Sequence, residues 1–230
     1  MSIQEQFRAL IDEFASQCDA EGVRLLPYRE EGWQRFHSLT FEKQVEKVSG
    51  FLKFYQACAE VVDSGISLKR GVKSLEKVMS KFGYQVCPGL YDQISDEEVI
   101  EAYTSDFTQL FRNLEMLKLC SYSLLELSVY EWPELFRRPH SITEKLIGLA
   151  GQVLGSPSPR TITCSEVPNH FLEEIFSPDK HKLFIEQKLL SPLMDSSGAT
   201  VGFIGTLRAH LFDPTTETGQ SMQNVTPLSK

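Results

Sequence analysis

His170 and His181 bracket Glu173, Glu174 and Asp179 in one short stretch of the chain. Imidazole and carboxylate groups gathered so closely are the donor types of a mononuclear metal site. A metal-dependent enzyme built on His170 and His181 is one reading of them. The other is a polar helix end followed by a turn, with Pro178-Asp179 supplying the turn chemistry, and no further ligand cluster accompanies the two histidines. The five cysteines, Cys18, Cys58, Cys87, Cys120 and Cys164, form no CxxC pair and sit mostly among apolar neighbours. That is the pattern of reduced thiols buried as small hydrophobes rather than of a zinc site. Nucleophile-elbow, Walker and GxGxxG signatures are absent, so no catalytic residue and no cofactor can be assigned. Lys69, Arg70, Lys73, Lys77 and Lys81 make one segment basic, suited to an acidic partner or to a solvated face that Asp92, Asp96, Glu97, Glu98 and Glu101 neutralise. Tyr122, Tyr130, Trp132 and Phe136 are aromatic enough to line a small-ligand pocket or to fill a core.

The elements that would position these groups fall into two regions. Ile3, Phe7, Leu10, Ile11, Phe14 and Cys18 mark one face of a helix over residues 3–20, stopped at Gly22. Residues 23–40, with Pro27, Tyr28, Gly32, Trp33 and Phe36, read as a packed connector. Phe41, Val45, Val48, Leu52, Tyr55, Ala59 and Val62 recur at alternating spacings of three and four, a heptad seam on a long helix that Thr40 can cap. A second helix runs from Ser67 through Leu75 and Met79 to Gly83. Ser95-Asp96-Glu97-Glu98 reads as a capping box. The spacing of Val99, Tyr103, Phe107, Leu110, Leu114 and Leu117 predicts a third helix after it.

After Gly155-Ser156-Pro157-Ser158-Pro159 the character changes. Arg160–Cys164 reads as a strand and Pro168–Phe176 as a short helix. Leu183–Leu193 and Thr200–Phe212 read as a hairpin about the turn Asp195-Ser196-Ser197-Gly198. Gly202 and Gly205 mark a bulge or a close approach within it. The expected class is therefore α+β: a helical region over 1–114, a small antiparallel-sheet domain over 115–212, and a disordered Thr-, Ser- and Pro-rich tail over 213–230.

Composition bounds the partners. A formal net charge of −8 over 230 residues repels a phosphate backbone, which argues against nucleic acid. No apolar run reaches the roughly 18 residues of a membrane span, and the N-terminus lacks the pattern of a secretory signal. A cytoplasmic protein is expected.

Cys120-Ser121-Tyr122-Ser123-Leu124-Leu125-Glu126-Leu127 followed by Glu131-Trp132-Pro133-Glu134-Leu135-Phe136 resembles the short-helix region of PAS sensory domains. Ser141–Leu154 then corresponds to that family's long connecting helix. Asp195, Gly198 and Gly202 fit the phrase of its last two strands, which also resemble the final strands of GAF domains. Two features depart from the PAS pattern: two strands should precede the Tyr122 phrase, where Tyr103–Leu119 reads as helix, and the stretch from Pro168 to His181 is an unusual insertion. The resemblance implies a non-enzymatic regulatory module that binds a small ligand or a protein partner. The resemblance assigns no ligand-binding residue; on the chain's own aromatic residues the module's pocket would be near Tyr122, Trp132, Phe136 and Phe203. Its association surface would be the seam Val45, Val48, Leu52, Tyr55, Ala59 and Val62, pairing with a partner or a second copy. The competing reading is a ligand-free adaptor. In that case Phe203, Leu207 and Leu211 would fill the inner face of the hairpin and leave no ligand space.

Overall fold

A computed structural model describes residues 1–213, so the tail assigned to 213–230 lies almost wholly outside the described residues. The chain opens with four helices. Helix α1 (Ile3–Ala20) starts at a capping box in which Ser2 Oγ accepts from Glu5 N and the Glu5 carboxylate accepts from Ser2 N, and it buries Phe7, Ile11, Phe14 and Cys18. Helix α2 (Glu30–Ser38) lies within the connector. Helix α3 (Phe41–Asp63) is capped by Thr40, whose side chain accepts from Lys43 N. Helix α4 (Gly71–Phe82) ends at Gly83, which takes the left-handed conformation at φ 76° that glycine adopts without a Cβ clash.

The rest is a curled antiparallel sheet with helices threaded through it. In chain order come β1 (Gln85–Val86), β2 (Val99–Thr104), β3 (Gln109–Arg112), α5 (Leu114–Leu119), α6 (Leu124–Val129), α7 (Trp132–Leu135), β4 (Phe136–Arg137), α8 (His140–Gly155), β5 (Ile162–Thr163), β6 (His170–Glu174), β7 (Lys182–Met194) and β8 (Thr200–Leu211). The spatial order is β3-β2-β8-β7-β6-β4, with β1 and β5 both pairing with β7. The molecule is α+β, as expected.

Two stretches expected to be helical contain strands: the span from Val99 to Leu117 forms β2 and β3 before the short α5, and residues 170–174 form β6. Ser95-Asp96-Glu97-Glu98 does make its local bonds: Glu97 N donates to Ser95 Oγ and Ser95 N to the Glu98 carboxylate. The turn they close delivers the chain into β2 instead of a helix. Val99, Ile100, Glu101 and Ala102 are all buried, because β2 lies between β3 and β8 with packed layers on both faces. A strand buried on both faces loses its period-two signature, and its apolar spacing imitates a helix. Residues 170–174, expected within a helix, pair antiparallel with β7, His170 opposite Ile185 and Leu172 opposite Leu183. Their alternating burial is that of a strand.

The sheet is the middle layer of the fold. On one face Ile100, Ala102, Leu193 and Ile204 join the cores of α1, α3 and α4 in a single apolar cluster, which also takes Leu117 and Leu125 from α5 and α6. On the other face Val99, Leu183, Ile185 and Leu207 meet Tyr122, Leu135 and Phe136, while Leu190 and Phe203 meet Ile142, Leu149, Ala150 and Val153 of α8. The residues of 1–114 and 115–212 are thus tied by one cluster, and β2 and β3, from the first stretch, are sheet members. Backbone bonds reinforce the tie: Leu124 N donates to Leu26 O at 2.9 Å and Leu125 N to Pro27 O at 3.0 Å. Those donors are first-turn amides of α6 that have no partner inside their own helix.

At Gly202 of β8 the neighbouring strand comes close. A Cβ there would stand 2.1 Å from the Tyr103 carbonyl oxygen of β2. Gly148, within α8, has nothing within 4 Å of such a Cβ. Gly202→Ala should therefore destabilise the protein by about 2–4 kcal/mol, as overpacking against backbone does. Gly148→Ala should be neutral or stabilise by up to about 1 kcal/mol. Urea midpoints of the two variants check both signs.

Candidate ligand cavity

Between the sheet and the α7–α8 segment lies a cavity of about 610 Å³. Its floor is Glu101 and Tyr103 of β2, Gln187 and Leu190 of β7, and Phe203, Gly205 and Leu207 of β8. Its roof and rim are Trp132, Pro133, Phe136, Arg138, Thr143, Leu146, Ile147 and Ala150, with Phe107 from the β2–β3 turn. Ladder register assembles the floor: Glu101 pairs with Gly205 and Tyr103 with Phe203. Gly205 contributes no side chain opposite Glu101, which keeps the middle of the floor open. Tyr103 and Phe203 stack at 5.4 Å, and Trp132 lies 4.4 Å from Phe136. Phe107 adopts φ 65°, a conformation that L-residues with large side chains seldom take. Its half-exposed ring meets Phe203 edge-on at the mouth.

Three of the four predicted pocket residues, Trp132, Phe136 and Phe203, line this cavity. Tyr122 does not. Its hydroxyl donates to Leu135 O at 2.5 Å and accepts from Ile175 N at 3.0 Å, which pins α7 to the end of β6. Phe203 and Leu207 form part of the wall without filling the space, and Leu211 is exposed.

The polar groups of the site are ones the sequence reading did not single out as pocket residues. Glu101 is buried and lies 3.3 Å from Arg112 Nε, its direct cross-strand partner on β3. Gln109 Nε2 donates to Glu101 Oε1 at 3.4 Å and to Tyr103 Oη at 3.1 Å. Burial pushes the Glu101 carboxyl above its ordinary value, while Arg112 and Arg138 pull it back. Burial also raises the Tyr103 phenol, so it stays protonated, and lowers Arg138. The guanidinium groups of Arg112 and Arg138 lie over the Trp132 ring at 5.2 and 5.7 Å. The one sequence signal for Glu101 was a carboxylate inside the apolar run Val99-Ile100-Glu101-Ala102.

The histidines do not converge on a metal site. His170 Nδ1 lies 3.1 Å from Pro168 O and His181 Nδ1 lies 2.9 Å from Leu119 O. Glu174 between them is consumed by structure: it accepts from Ser121 N, Ser121 Oγ, Ser177 Oγ and His181 N. Among the described residues no group of three or more His, Cys, Asp or Glu side chains could hold a metal ion. The five cysteines are free thiols, and burial pushes Cys18 up to about 12 and Cys164 up to about 11. No described helix is long and apolar enough to cross a membrane.

The seam residues of α3 separate. Val48 is buried, Tyr55 and Ala59 are partly covered, and Val45, Leu52 and Val62 are exposed, continuing a stripe that begins at Phe41, 67% exposed. The basic face of α4 is largely answered within the chain, by Arg70–Asp96 at 2.6 Å, Lys73–Glu76 at 2.8 Å and Lys81–Glu60 at 2.5 Å.

No protein-family model matches the chain, and no curated protein matches its sequence.

Because burial raises the Glu101 carboxyl above its ordinary value of 4.5, this group's contribution to stability is complete below that value and is lost as pH rises through the native one. Glu101→Gln removes that loss. The stability of Glu101→Gln relative to wild type should therefore climb as pH is raised from about 4 to 7. Urea melts at several pH values give the slope, and a flat difference would show that Arg112 and Arg138 fully offset the burial of the carboxylate.

Proposed function

We propose that this chain is a non-enzymatic regulatory module resembling a PAS sensory domain, in which a small ligand held in the cavity is reported to the N-terminal helices. The observation that carries the reading is the cavity: its size falls within the roughly 300–1,000 Å³ usual for small-molecule sites, and its walls are mainly apolar and aromatic with a few buried polar groups. The order of elements supports it too. β2, β3 and the short α5 precede the Tyr122-Ser123-Leu124 phrase, and two short helices, the long α8 and the closing strands follow it.

A route out of the cavity is also present. Trp132 in the roof is flanked by Glu131 and Glu134, which pair with Lys47 of α3 at 3.1 Å and Arg35 of α2 at 2.8 Å. A ligand that shifts α7 would pull on both helices. Native and denatured mass spectra of the purified full chain test the reading. A stoichiometric adduct is expected in the native spectrum, lost on denaturation and lost in Leu146→Trp, whose larger side chain would occupy the cavity. Wild-type protein that is wholly free of adduct, and whose melting temperature matches that of a mixture with its own cell extract's small molecules, would sink it.

The exposed stripe on α3 favours a second reading, an adaptor that associates through this helix. Val45→Glu with Leu52→Glu should then convert a dimer to a monomer by light scattering while leaving the fold intact, since both positions are exposed. A mass unchanged by the substitutions would leave α3 without that role.

A further inference from the structure

We infer that the ligand of this cavity is an organic anion, a flat hydrophobic body bearing one carboxylate or similar acid that seats against Arg138; the inference rests on the cavity reading above. The charges of the site lead to it. Glu101 is answered by Arg112, 3.3 Å away across the β2–β3 pair, which leaves that pair near neutral. Arg138 is the surplus cation. It forms part of the cavity wall, and among the described residues it has neither a hydrogen bond nor a close ion pair: it lies over the Trp132 ring and feels the Glu101 carboxyl only at longer range. A half-buried guanidinium with unspent donors in an apolar cavity is the residue chemistry that captures carboxylates.

A second feature adds positive potential at the same wall. Helix α8 begins two residues after Arg138. Its N-cap is Pro139, which makes no capping bond, and Thr143 near its start also lines the cavity. An uncapped helix N-terminus favours an anion. The hydrophobic body has its place between Trp132 and Phe136 on one side and Phe203 on the other.

Two fluorescent probes with the same rings separate charge from shape: 8-anilinonaphthalene-1-sulfonate, an anion, and N-phenyl-1-naphthylamine, which lacks the sulfonate. Both are titrated into the full chain as wild type, Arg138→Gln and Leu146→Trp. Arg138→Gln should weaken the anion about tenfold or more, the usual worth of a charge-assisted hydrogen bond, and leave the neutral probe within about twofold. Retained binding of the neutral probe shows that the variant is folded. Equal weakening of both probes, or of neither, overturns the assignment of the anion to Arg138 while the cavity stands. Binding of neither probe to wild type, or binding that Leu146→Trp leaves unchanged, overturns the cavity reading and this inference with it. Should Arg138→Gln fail to fold, wild type alone decides. The anion should bind at least as tightly as the more hydrophobic neutral probe, and a tenfold preference for the neutral probe overturns the inference.

Discussion

Strand β2 is packed on both faces and paired on both edges, and the rest of the molecule follows from that double burial. Ile100 and Ala102 face the N-terminal helices, while Glu101 and Tyr103 face the cavity. A carboxylate in such a strand must be compensated. Arg112 on β3 does this across the ladder, so the β2–β3 hairpin carries a charge pair into the interior as a unit. Across the other ladder Gly202 allows β8 to approach closely and Gly205 leaves the floor unfilled. Buried volume that could have been core becomes a cavity with a polar floor.

The surrounding elements hold α7 in place over that floor. Tyr122 Oη ties the end of α7 to β6, Glu174 gathers Ser121, Ser177 and His181, and Ser123 with Glu126 closes a buried capping box at the start of α6. These polar groups are satisfied within the fold, which makes them scaffolding. Arg138 is different: it lies over the Trp132 ring, makes no hydrogen bond among the described residues and feels the Glu101 carboxyl only at longer range. A guanidinium with unspent donors at a cavity wall is a group whose partner is expected from outside.

Much of this was legible in the chain itself. α1, α3 and the β7–β8 hairpin follow from periodicity, Thr40 and Gly83 mark helix ends, and Asp195 with Gly198 makes the turn. Strands β2, β3 and β6 were not legible as strands. β2 is hidden by burial on both faces, and β3 is only four residues long. β6 is five residues long and flanked by Pro168 and Pro178, and its residues read as a short helix. Trp132, Phe136 and Phe203 were visible as aromatic material for a pocket. Glu101 and Arg138 were not, because their meaning depends on sheet order, which brings residues from β2, α8 and β8 to one place. The histidines show the converse: proximity in sequence placed His170 and His181 together, and strand geometry gives each a carbonyl of its own.

The cluster shared between the N-terminal helices and the sheet also bears on how the chain is made. Phe7, Ile11 and Phe14 leave the ribosome about 175–197 residues ahead of Leu189, Leu193 and Ile204, which complete their burial. At the usual pace of synthesis, about 5–20 residues per second, the wait is on the order of ten seconds or more. Through that interval the amphipathic helices must either associate among themselves or be held by chaperones. A chain released before β8 would carry a finished set of helices with one apolar side still open to water.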